Sequence, residues 1–254
     1  MSLEHKVLSP FSYQCNACGR CCHNQVITLS PYDVIRLARA ANLSTADAIV
    51  RFTLRRGSLL RFNPDGACVA LNGTRCGVHP GRPLACRLYP LGFQRDTSND
   101  SFVRLEPAIG SAGIYGTSST VAAFLESQGV GPYLNAADRY YSLIPLMRGR
   151  IAILTDFDRV EPREFWRSAF NEAMRESNYD SNPLIDALFD VDAAVPPHQY
   201  TGEDDLIRVH IDVVEGMVYC TEDPATIAAA AMLLAVSLGY SPAEAIVSEL
   251  AASA

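Results

Sequence analysis

The sequence predicts an α+β fold. Residues 1–108 read as a small cysteine-rich metal-binding module of short strands and helices, and 109–254 as an acidic, mostly helical module with one β-hairpin. Three observations carry this reading. Seven of the eight cysteines lie between Cys15 and Cys86. Residues 1–95 hold twelve Lys and Arg against four Asp and Glu, a formal +8, while residues 96–254 carry a formal −15. The apolar pattern also changes, from short runs broken by turn residues to helical periodicity.

Taken in order, Ser30-Pro31-Tyr32-Asp33 is a helix start: a capping serine, proline at the first helical position and an acid in the first turn. Val34, Leu37, Ala38 and Ala41 follow on one face. A second helix starts at Ser44, with Asp47 three residues later and Ile49 and Phe52 facing inward. Short strands are expected at 58–62, 67–71, 75–78, 87–95 and 101–106, with turns at Asn63-Pro64-Asp65-Gly66 and Asn72-Gly73. For Cys68 and Cys76 to share a face, the hairpin between them needs a three-residue loop, Asn72-Gly73-Thr74, or an equivalent bulge.

Helices are expected at about 118–128, 132–147 and 161–177. Ile207, Val209, Ile211 and Val213 alternate with Arg208, His210 and Asp212, which predicts a hairpin turning at Glu215-Gly216 with His210 and Asp212 solvated. The stretch 190–206 reads as a loop. Two final helices begin at Asp223-Pro224 and Ser241-Pro242, the first apolar on all sides and therefore buried. Trp166 and Phe170 read as core, Cys220 as core packing, and Asp156 and Asp158 as turn and capping residues.

Composition sets limits on function. The first ten residues lack a basic start followed by an apolar run, so no signal peptide is expected. The longest apolar run, 227–239, falls short of the about 20 residues that span a bilayer. A cytoplasmic protein follows, with no membrane role, and in that compartment clustered cysteines bind metal more often than they form disulfides. The basic segment has no lysine-rich run or interleaved aromatic stripe, so nucleic acid is not favoured as a partner. Arg20, Arg75, Arg82 and Arg87 instead lie within a few residues of a cysteine, where they offset thiolate charge. No phosphate loop, G-x-G-x-x-G or G-x-S-x-G turn is present, which weakens nucleotide-dependent and serine-hydrolase readings.

The chemistry is concentrated in Cys15-Asn-Ala-Cys18-Gly-Arg-Cys21-Cys22. Cysteines two residues apart let a turning backbone bring successive thiolates to one ion, and Gly19 eases that turn. The C-x2-C-x2-C run matches half of a ferredoxin ligand pattern, which needs a remote fourth thiolate; Cys68, Cys76 and Cys86 are the candidates, Cys86 foremost. Side chains of the adjacent pair Cys21-Cys22 are expected to diverge. The expected cofactor is an iron–sulfur cluster or zinc. The ferredoxin-like run points to the cluster, while seven cysteines and one histidine would fill two zinc sites.

Four blocks, Cys15–Cys22, Gly66–Leu71, Arg75–His79 and Arg82–Pro90, resemble the YkgJ-like cysteine-cluster proteins, a family connected with zinc or iron chelation. The resemblance covers about residues 11–106. It implies that Cys15, Cys18, Cys21, Cys22, Cys68, Cys76 and Cys86 are the ligand set. His23 and His79 are candidate eighth ligands, and Arg82 and Arg87 candidate hydrogen-bond donors to the ligand sulfurs. A similar cluster in flagellin lysine-N-methylases makes a protein-modifying enzyme one alternative. A zinc-stabilised interaction module is another. The expected role is redox or electron transfer, with a protein or electron-transfer partner meeting the acidic half.

Overall fold

The computed structural model describes residues 4–95, 101–155, 163–175 and 182–240. Strands β1 (Glu4–His5) and β2 (Pro10–Gln14) lead into the cysteine loop, which ends in a 3₁₀ turn at Arg20–Cys22. Helix α1 (Pro31–Ala41) then starts where expected. Ser30 Oγ accepts from Asp33 N–H at 3.1 Å, and Asp33 Oδ2 accepts from Ser30 N–H at 2.8 Å, a reciprocal capping box. Helix α2 (Thr45–Phe52) is capped by Ser44, whose Oγ accepts from Asp47 N–H at 3.1 Å, and its Phe52 is buried.

Short ladders follow: β3 (Thr53–Leu54) with β4 (Leu59–Leu60), and β5 (Leu71–Asn72) with β6 (Arg75–Cys76). The β5–β6 register pairs Asn72 with Arg75, so the loop is the two residues Gly73-Thr74. The expected three-residue loop is replaced by a tighter one. Gly73, at φ 61°, takes the first loop position, where a type II′ turn wants glycine.

Helix α3 (Leu84–Leu88) precedes β7 (Leu91–Gln94) and β8 (Ser101–Arg104). The strand expected over 87–95 is thus shortened by a helix that contains Arg87 and Leu88. A contact across 51 residues favours that helix: Leu84 N–H, at its first turn, donates to Asp33 Oδ1 at 2.7 Å. Strand β8 lies between β1 and β7, antiparallel to both. Strand β9 (Ile114–Thr120), not foreseen because it is polar and its partner β2 is distant in sequence, precedes α4 (Val121–Ser127).

The remainder is helical: α5 (Gly131–Tyr140), α6 (Leu143–Thr155), α7 (Arg163–Arg175), α8 (Pro183–Phe189), α9 (Val191–Ala194), α10 (Glu203–Cys220) and α11 (Pro224–Ser237). The helix expected over 132–147 is two helices, and the loop expected over 190–206 contains α9 and the start of α10. The hairpin expected around 207–216 is α10, a single 18-residue helix. Its Leu206, Ile207, His210, Val214 and Val218 are buried at helical spacing, and Glu203, Asp204 and Asp205 suit its positive N-terminal end. His210 is therefore fully buried rather than solvated, and Cys220, at the helix end, is exposed rather than packed. Asp156, Asp158 and the helix expected from Ser241 lie outside the described residues.

The main core joins Leu29, Tyr32, Leu37 and Val78 to Tyr140, Met147, Trp166 and the nearly all-buried α11. A smaller core of Phe11, Leu88, Leu91, Phe102, Val121, Phe124 and Val130 lies under the strands. Both cross residue 108, so the change in composition is not a division in the packing. Opposite charges also meet across it. Arg36 pairs with Glu203 at 2.9 Å, Arg39 with Asp192, Arg95 with Asp138 at 2.9 Å, and the buried Arg56 with Asp186. Part of the basic excess of the first half thus answers the acidic excess of the second, not only the thiols. Among the described residues no helix is long and apolar enough to cross a membrane.

Candidate metal centre

The cysteine loop is shaped by its backbone. Ala17 and Gly19 take φ of 51° and 72°, reversing the chain twice between Cys15 and Cys21. A Cβ at Gly19 would also stand 3.3 Å from the Thr74 backbone, so glycine lets the β5–β6 turn close onto the loop. Cys22 N–H donates to Gly19 O at 3.0 Å, and His23 Nδ1–H donates to the same carbonyl at 3.1 Å. In the tautomer that makes this bond the ring lone pair lies on Nε2. His79 differs, because its Nε2 accepts from Arg82 Nη1 at 2.9 Å.

Three further segments bring the remote cysteines in. Cys68 N–H donates to Cys22 O at 2.8 Å, which seats Cys68 against the loop. A β-turn closed by Leu71 N–H on Cys68 O, at 2.9 Å, then redirects the chain into the hairpin that carries Cys76. The turn lets Cys68 and Cys76 face one space without the longer loop. Cys86 sits in the first turn of α3, whose N-terminus Asp33 holds. Gly81 makes this approach possible: a Cβ there would lie 2.0 Å from Arg36 O on α1.

Cys15, Cys21, Cys22, Cys68, Cys76 and Cys86 line one cavity of about 680 Å³, together with Asp33, His79, Arg82, Tyr89 and apolar walls that include Leu37, Val78 and Leu88. Cys18 lies outside that lining. The Cys21 and Cys22 sulfurs meet rather than diverge: the Cys22 S–H donates to the Cys21 sulfur, lowering the Cys21 thiol to about 7 and raising Cys22. Burial raises Cys86, reinforced by Cys68 and Cys76, and burial raises Cys68. Backbone N–H groups of Ala112 and Arg20 lower Cys18. Cys15 accepts from Ala17 N–H at 3.4 Å.

The two arginines part ways. Arg87 gives its donors to Arg82 O at 3.1 Å, Gln128 O at 2.8 Å and Pro80 O at 2.6 Å, and stacks on Tyr133. These three bonds brace the backbone around Cys86. Arg82 bonds His79 and the Gln128 side chain while its charge faces Cys86, Cys15 and Cys76; burial and Arg87 lower its pKa. Its Nε is buried without a partner.

Residues 14–105 match the model of the CxxCxxCC family, described as a "putative zinc- or iron-chelating domain". The N-terminal segment is a CxxCxxCC domain. No curated protein and no solved structure matches the chain. All seven clustered cysteines fall inside the matched segment and the exposed Cys220 outside it. Residues beyond the segment complete the surroundings: Gln128 orients Arg82, and Ala112 bonds Cys18 at 3.4 Å. Neither carries a motif, so sequence spacing gave no sign of them.

The donor set suits the metal that the CxxCxxCC domain implies. Thiols whose ionisation is opposed by burial and by one another gain most from a cation among them. Among the described residues, though, no three Cys, His, Asp or Glu side chains stand close enough together to hold a metal ion. The cysteines share a cavity without forming a closed tetrad.

Proposed function

We propose that the cysteines around this cavity hold an iron–sulfur centre and that the protein serves redox or electron transfer. The observation that carries the reading is the gathering of six thiols around one cavity of about 680 Å³. Four thiolates on one zinc ion, at about 2.3 Å each, stand roughly 3.8 Å apart. Ligand sulfurs of a cluster bind separate irons and stand farther apart, which suits thiols arranged around a cavity of that size. Four of the six lining thiols, Cys15, Cys21, Cys22, Cys68, Cys76 and Cys86, would supply the thiolates of one cluster. An iron–sulfur centre supplies a one-electron couple.

The chain's own groups support that use. Arg82 sets positive charge beside the sulfurs. Leu37, Val78 and Leu88 give the cavity apolar walls, which limit water. The unpaired thiols of all eight cysteines suit a reducing, cytoplasmic setting. The acidic half would then offer a docking face to a protein electron partner. Anaerobic purification tests the reading: brown protein with iron and acid-labile sulfide is expected. Colourless protein with two equivalents of zinc and no sulfide would replace it with a zinc-stabilised interaction module.

A further inference from the structure

The cavity that gathers the thiols is larger than a metal centre needs. An iron–sulfur cubane has eight atoms and takes up roughly 240 Å³, at about 30 Å³ for each water-sized atom. A zinc ion takes far less. The cavity measures about 680 Å³, within the range of small-molecule sites. Beyond its cysteines it is walled by both cores: Leu60, Val78 and Leu238 come from the main one, Leu88 and Leu91 from the smaller. All five are buried, while the exposed lining residues Gln25, Thr74 and Arg75 give an opening to solvent. Water fills such a space poorly, because each molecule needs about two to four polar partners. Asp33, which also lines it, already gives one oxygen to Ser30 and the other to Leu84. Arg82 does have something to offer, since its Nε is buried without a partner.

We propose that the cavity binds, beside the metal, a neutral and mainly apolar carbonyl compound the size of a two-ring aromatic, whose oxygen accepts from Arg82 Nε–H. The apolar walls select the body of the ligand. The donor on Arg82 selects its oxygen, and being charged it makes the stronger kind of hydrogen bond. Neutrality follows from what else is present. Four thiolates outweigh a divalent metal centre, which disfavours an anion, and Arg82 with the apolar walls disfavours a cation. This choice of a neutral ligand rests on the metal reading above, whereas the size and the apolar walls do not.

The test is equilibrium dialysis of the anaerobically purified holoprotein against three probes that share one body: 2-acetylnaphthalene, 2-ethylnaphthalene and 2-naphthoate. Wild type is compared with Arg82→Leu, with Leu105→Trp at a partly exposed lining position, and with Ile153→Ala on the exposed face of α6. Metal content and circular dichroism are measured on every sample. Expected is saturable binding of the ketone at one per chain, with the hydrocarbon at least about tenfold weaker for want of one hydrogen bond to a charged donor. The naphthoate should bind more weakly than the ketone. Arg82→Leu should bring the ketone down to the hydrocarbon's level, Leu105→Trp should block both at unchanged metal content, and Ile153→Ala should match wild type. No saturable binding by metal-loaded wild type overturns the inference and leaves the metal reading intact. So does equal affinity for ketone and hydrocarbon, a preference for the naphthoate, or binding that a folded Leu105→Trp protein retains. Wild-type protein without metal overturns the metal reading, and the choice of a neutral ligand with it.

Discussion

Asp33 does two jobs with one buried carboxylate. Oδ2 closes the capping box of α1, while Oδ1 accepts from Leu84 N–H and so seats the turn that carries Cys86. Asp33→Ala removes a cap from each helix and leaves buried N–H groups unmet, so stability should fall by about 2–4 kcal/mol in denaturant titration. Metal content should fall with it. The first job was legible in Ser30-Pro31-Tyr32-Asp33. The second was not, because nothing local marks a partner 51 residues away. His210 makes the same point. Its Nε2–H donates to Ala187 O at 2.8 Å, and its Nδ1 accepts from Tyr140 O–H at 2.6 Å. Burial lowers its pKa to about 4. Between that value and the ordinary 6.5 the unfolded chain takes a proton the folded chain refuses, so this residue's contribution is full above about 6.5 and is lost as pH falls toward 4. Unfolding free energy should drop by about 3 kcal/mol across that window, and His210→Gln should flatten the slope.

Among the elements, the 3₁₀ turn at His79–Gly81 depends on pressing against α1. Gly81→Ala would drive a methyl into Arg36 O and Ala40 Cβ, at 2.0 and 2.5 Å, so the turn must lift and take Arg82 and Cys86 with it. Thermal melting should show a loss of about 1–3 kcal/mol, and metal per chain should fall; unchanged values would mean that the turn adjusts freely. Capping chemistry made α1, α2 and α11 readable, because Ser30, Ser44 and Asp223 are local signals. Helix α10 misled for a physical reason. Branched residues at 207, 209, 211 and 213 fit a strand's alternation, but the buried set 207, 210, 214 and 218 faces α5, α6 and α8, and only tertiary packing selects it. The hairpin erred in a smaller way, since a β-turn after Cys68 did the work assigned to a longer loop.

Over the whole molecule, one core runs from α1 beside the cysteines to α11 in the acidic half. The exposed ion pairs between the halves add little beside that apolar burial. Leu234→Ala, at a fully buried position of α11, should cost about 2–5 kcal/mol. Because the core is shared, Trp166 fluorescence and the metal centre's absorbance should be lost together on denaturation, at the same lowered midpoint. Two separated transitions would show that the halves unfold independently. The central claim is that the cysteines gathered at the cavity, and not the eighth, hold the metal. Metal and sulfide per chain, measured on anaerobically purified Cys22→Ser, Cys68→Ser, Cys76→Ser, Cys86→Ser and Cys220→Ser proteins, tests it most directly. The account predicts a wild-type content in Cys220→Ser and a clear loss of metal in Cys86→Ser and at least two of the other cavity variants. Full metal content in all four cavity variants, or loss only in Cys220→Ser, would contradict it.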